Sequence, residues 1–175
     1  MNRITKFLAW LCIITCCLSC VSCEKKAEPQ PILKVITSSQ IGVTIFSYKR
    51  YYAIYDNGKK KKISEFSPTE VESYLFGSSN YDDSSKVLYS IDLNTEEGIQ
   101  LNEIATKIIA LTEEADKVHS PGALYVISEK YYFAALINKG YDSLVDALFE
   151  YNVEENTFKK IATFSSSITH VEAYQ

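Results

Sequence analysis

Short apolar runs separated by polar interruptions fill most of the chain, and most of these runs have the character of strands. Ile32 to Thr37 is rich in Ile, Val and Leu, and Ile41 to Tyr48 alternates apolar with polar positions. Tyr51 to Tyr55 leads into Asp56-Asn57-Gly58 and then into Lys59 to Phe66. An Asn-Gly pair between two strand runs predicts a tight hairpin, because a type I′ turn needs positive φ at both central residues. The body is therefore expected to open as a meander of four short strands. Ser67-Pro68-Thr69-Glu70 has the order of a helix start, with Ser67 as the cap and Glu70 closing a capping box. Gly77 would end that helix, although Tyr74 to Phe76 fits a strand equally well. Ser78 to Ser85 is a polar loop.

The middle of the chain changes period. Ile104, Ile108, Leu111, Ala115 and Val118 recur at helical spacing, with Glu113, Glu114, Asp116 and Lys117 between them. This predicts one amphipathic helix over Glu103 to Val118, ended by Pro121-Gly122 and packed on the sheet. Four strand runs follow with short turns between them: Ala123 to Ser128, Tyr131 to Ile137, Leu144 to Val153 and Thr157 to Phe164. Ile168 to Tyr174 can begin another. Three places share one pattern, an apolar strand ending in Asp or Asn, a polar turn and a second strand. They start at Tyr52, Leu88 and Leu148, at intervals of 36 and 60 residues. The inserted helix lies in the longer interval. Four strands in meander order resemble a β-propeller blade, and a closed propeller needs at least four blades. The expected fold is therefore mainly β: an antiparallel meander of propeller-like units, open or sandwich-like, with one inserted amphipathic helix.

The N-terminus has a different pattern. Arg3 and Lys6 precede an apolar run from Phe7 to Val21, then small residues and a cysteine. That is the layout of a secretory signal, too short for a membrane span. Val21-Ser22-Cys23 resembles the lipobox of bacterial lipoproteins. The resemblance implies cleavage before Cys23 and its modification by lipid. The family usually has Leu where Cys20 stands, and Cys20 itself, after Cys17-Leu18-Ser19, is the rival acceptor. Two or more acyl chains make such an attachment stable, at about 0.8 kcal/mol per buried CH₂. The domains expected are a signal over residues 1–22, a lipidated tether over 23–31 with Pro29 and Pro31, and one mainly β domain over 32–175. Glu24 follows the cysteine, where Asp commonly retains family members in the inner membrane. The resemblance thus leans towards the outer membrane.

Cleavage alters the chemistry of what remains. All five cysteines lie at 12, 16, 17, 20 and 23, so a body starting at Cys23 has no internal disulfide and no cysteine zinc site. Loss of Arg3 and Lys6 leaves 16 basic against 22 acidic residues and moves the net charge from −4 to −6. Nucleic acid and anionic lipid head groups are thus not expected partners for the body as a whole. The frequency of Tyr fits half-buried strands or a binding face. In the doublets Tyr51-Tyr52 and Tyr131-Tyr132, one residue of each pair must face away from the other, which predicts some exposed tyrosine.

Candidate chemistry is sparse. The chain has six glycines and two histidines, His119 and His170, and no Gly-rich phosphate loop, nucleophile elbow or zinc-binding helix motif. His119, expected at the helix end, and His170, near the C-terminus, read as surface or capping residues. Asp92, Asn94, Glu96 and Glu103 fall at positions 1, 3, 5 and 12 of an EF-hand-like loop. Glu97 replaces that family's Gly, and Gly98 comes one place late, so the alternative is a turn with solvated acids. Lys59 to Lys62 reads as a charged guard on an edge strand, with an anionic glycan or lipid surface as its other reading. No catalytic, cofactor or metal site is expected. The reading is an envelope lipoprotein, anchored by Cys23, acting as a non-enzymatic interaction module for another envelope protein. A small-ligand binder or hydrolase, or a remnant of a larger propeller, is the alternative.

Overall fold

The computed structural model describes residues 28–40, 47–77, 87–115, 117–138 and 144–175. The signal, Cys23, most of the tether, Ile41 to Phe46 and the Ser78 to Ser85 loop lie outside them. The order of elements is β1 (Pro31–Gln40), β2 (Ser47–Tyr55), β3 (Lys60–Lys62), β4 (Glu72–Leu75), α1 (Glu96–Glu114), β5 (Val118–Ile127), β6 (Lys130–Asn138), β7 (Leu144–Asn152), β8 (Thr157–Phe164) and β9 (Ser167–Ala173). Two antiparallel sheets form, ordered β3-β2-β1-β9 and β4-β5-β6-β7-β8.

The five-stranded sheet is the middle of three layers, so its strands are apolar on both faces. Leu124, Phe133, Ala135, Ala147 and Phe149 pack beneath α1, against Leu101, Ile104, Ala105 and Ile108. The alternate residues Tyr125, Ile127, Tyr132, Ala134 and Leu148 face the four-stranded sheet, against Leu33, Val35, Ile54 and Val171. Phe133 and Phe149 stack with centroids 5.0 Å apart, and the Phe158 edge meets both. Period-two alternation assigns each side chain to one of two cores.

Strands are found where expected in β1, in β2 over Tyr51 to Tyr55, in β3 over part of Lys59 to Phe66, and in β5 to β9. Asp56-Asn57-Gly58 does turn β2 into β3, but of its residues only Gly58 has positive φ (76°), so the turn is not the type I′ expected. Other expectations are corrected. Tyr48 and Tyr51 belong to one strand, β2. Ser67-Pro68-Thr69-Glu70 starts no helix. Residues 63–71 instead run as an irregular strap across the outer face of the smaller sheet and lead into β4. The long helix begins earlier than its apolar stripe and ends at Glu114, while Val118, Pro121 and Gly122 belong to β5. Pro121 is tolerated there because β5 is bulged between Pro121 and Ala123. Of the three pattern repeats, the first and third are strand-turn-strand. In the second, Ile99 to Ile104 lies inside α1.

The strap moves across β2, β1 and β9 in that order. The Tyr51 hydroxyl donates to Glu65 at 3.1 Å, and the Tyr51 and Phe66 rings meet edge-on at 5.3 Å. The Lys34 amine lies 4.9 Å from the Phe66 centroid. Thr69 then binds Glu172 of β9, and Val71 joins the core between the sheets.

Candidate interaction surface

The end of α1 leaves part of the middle sheet's outer face as a groove of about 870 Å³. Ile137, Val145, Phe149 and Phe158 form its apolar floor, and Ala115 at the helix end forms one wall. Lys117 and Lys160 stand at its rim. Val145 and Phe158 are half-buried, whereas Phe149 and Ile137 are buried. An apolar floor with a cationic rim suits an apolar segment that carries acidic groups. A second cleft, of about 440 Å³, opens beside β9 over Leu75, Leu136 and Ile168. Asp146 lies in it and accepts the Ile168 amide at 2.7 Å. Burial raises the Asp146 pKa, and the Ile168 hydrogen bond partly offsets that rise. The neighbouring Tyr125 hydroxyl is pushed up to about 12, first by burial and then by the Asp146 charge.

The most distinctive charged group is Glu172, 1% exposed on the strap side of β9. One carboxylate oxygen accepts from the Lys34 amine at 2.7 Å. The other accepts from the Thr69 amide at 2.7 Å and the Thr69 hydroxyl at 2.8 Å, and His170 Nε2 lies 3.1 Å from it. Burial alone would raise the carboxyl pKa. The donors outweigh it, Lys34 first and Thr69 next, and hold the group down at about 2. This network clamps the strap to the sheet. Among the described residues, no buried side-chain nitrogen or oxygen lacks a partner, so none is left aimed at a ligand.

His170 therefore belongs to the hydrogen-bond network around buried Glu172, a role its sequence position did not suggest. His119 is exposed on β5, just past the end of α1. The calcium-like stretch is a helix N-terminus. Asp92 accepts from the Asn94 amide and side chain, both at 2.9 Å, which lowers its pKa. Thr95 caps α1 by accepting the Gly98 amide at 3.0 Å. Glu96 and Glu103 are therefore set along a helix rather than around a loop. Gly98 has its own reason: a Cβ there would lie 2.0 Å from the Asp92 carbonyl oxygen. Among the described residues, no three metal-ligating side chains converge.

The tyrosine doublets do face opposite ways, but both faces are covered. Tyr132 is buried between the sheets, Tyr131 packs on the helix side, and Tyr51 and Tyr52 are half-buried. Lys60 to Lys62 form the edge strand β3, exposed throughout. Glu172 and Lys34 were not singled out by sequence. The only signal was a charge at an alternate position in each of two apolar strand runs, and their partnership spans 138 residues.

Family models, curated proteins and solved structures yield no match to this chain. Among the described residues, no helix is long and apolar enough to cross a membrane.

Proposed function

We propose that the chain is a lipid-anchored, non-enzymatic interaction module of the bacterial envelope. On this reading it is held by Cys23 and binds an apolar, acid-flanked segment of another envelope protein. The observation that carries the binding role is the groove beside Phe158 and Val145, with Lys117 and Lys160 at its rim. The lipobox-like Val21-Ser22-Cys23 supports the anchor, and Glu24 after it favours the outer membrane. The propeller-like reading of the strand units belongs to the same proposal. It rests on β5 to β8, which follow one another in meander order as the strands of a blade do.

The test is a photo-cross-linking amino acid at Thr163, in the groove, in intact cells expressing the lipidated chain. One stoichiometric partner is expected, captured through an apolar segment with acidic neighbours. Capture should fall at least several-fold in Lys117→Glu and in Val145→Gln. No specific adduct, or an adduct indifferent to both substitutions, would refute the groove as a binding face.

A further inference from the structure

The lysines gather where the two sheets bring their edges together. β3 ends the smaller sheet and β8 ends the larger. The Lys60 amine donates to the Thr163 carbonyl and lies 4.7 Å from the Phe164 centroid, so β3 and β8 are neighbours. Lys59, Lys61 and Lys62 beside β2, and Lys159 and Lys160 on β8, are all exposed. The described chain also enters here. The Gln30 carbonyl accepts the Asp56 amide at 3.0 Å, and Ile32 shares a cleft of about 380 Å³ with Gly58, Lys159 and Lys160.

Several acids lie nearby. Asp56 sits in the turn, Glu28 just precedes the entry point, and Glu129, Glu154 and Glu155 share a cleft with Lys130 and Lys159 at the start of β8. Glu65 is held by Tyr51, and Glu150 pairs with Lys159 in register and lies 3.4 Å from Lys130. The strongest acidic run is elsewhere. α1 carries Glu96, Glu97, Glu103, Glu113 and Glu114 against Lys107, and packs over β5. β5 lies three strands from β8, roughly 14 Å along the sheet. Guarding an edge against pairing accounts for lysines on any exposed strand. The opposite edges, β4 and β9, have no lysine at all. The lysines thus cluster at one edge of the body, and the longest acidic run lies away from them on α1.

We infer that the β3–β8 edge is the face that lies on anionic phospholipid headgroups once the chain is anchored. This rests on the lipoprotein reading above. The tether from Cys23 to Pro31 reaches at most about 28 Å, which keeps the lysines close to the bilayer. An acyl anchor and a polybasic surface reinforce one another, and each lysine near the headgroups strengthens partitioning roughly five-fold.

The test uses the acylated protein extracted from membranes. Its intact mass reads the anchor independently of the lysines. With Cys23 acylated, a fluorophore on Ser64→Cys, two residues past Lys62, or on Glu103→Cys in α1 labels one position. Each labelled protein is reconstituted in phosphatidylethanolamine vesicles bearing nitroxide headgroups, with or without phosphatidylglycerol. Quenching at 64 should exceed that at 103 several-fold with phosphatidylglycerol. It should collapse at about 0.5 M salt, where screening shortens to roughly 4 Å. The combined Lys59→Gln, Lys61→Gln, Lys62→Gln and Lys159→Gln variant should abolish the difference, with its circular dichroism unchanged. Equal quenching at both positions, or no dependence on phosphatidylglycerol, would overturn the inference. If the mass shows no acyl group, the anchor reading fails, and vesicle sedimentation of the unlabelled chain then decides. Salt-sensitive binding lost in the four-lysine variant upholds the contact, and its absence overturns it.

Discussion

Glu172 shows how a buried charge can hold an irregular segment in place. A strap without secondary structure needs partners for its backbone, and the Thr69 amide finds one in the Glu172 carboxylate. Glu172→Gln should cost about 3 kcal/mol in urea unfolding at neutral pH, because Lys34 loses its buried counter-charge. The pH dependence follows from the depressed pKa. A carboxyl at about 2 in the folded chain and near 4.5 when unfolded stabilises fully above about 4.5, and that contribution is lost as pH falls towards 2. Wild type should lose about 3 kcal/mol more than Glu172→Gln across this window. Equal losses would show that the network does not act as described. At Gly98, where a Cβ would strike the Asp92 carbonyl, Gly98→Ala should lower stability by about 2 kcal/mol in the same assay.

At the scale of elements, local pattern and long-range pairing part company. β5 to β8 were legible because alternation and turn residues are local signals, and the Asn57-Gly58 hairpin was legible for the same reason. The strap was not. Ser67-Pro68-Thr69-Glu70 has a helix-start pattern, but the Thr69 amide and hydroxyl are claimed by Glu172 of β9, about a hundred residues away. The apolar stripe alone starts the helix too late, since Glu96 and Glu97 resemble loop acids in sequence and the cap, Thr95, lies inside the calcium-like stretch. The groove was invisible to periodicity, since it exists only where α1 stops over strands that come later in the chain. Within that sheet, Phe133 is fully buried against Phe149 and Phe158. Phe133→Ala should cost about 4 kcal/mol by denaturant unfolding, and a loss below about 1 kcal/mol would contradict the packing described.

The whole molecule is a three-layer body, helix on sheet on sheet, with a cluster of lysines at one edge. The cluster of lysines at β3 and β8 and the glutamates of α1 give it a direction, and the entry of the chain at Gln30 to Ile32 gives that direction a reference point. The groove and the basic edge meet at Lys160, so a body resting on headgroups would present its groove near the membrane surface. The envelope role rests on the anchor. The most direct test is therefore the intact mass of the chain purified from membranes of the cells that make it. The account predicts a chain of residues 23–175 carrying acyl groups on Cys23, with no mass from residues 1–22. A chain that still begins at Met1, or one cleaved but free of lipid, would contradict it.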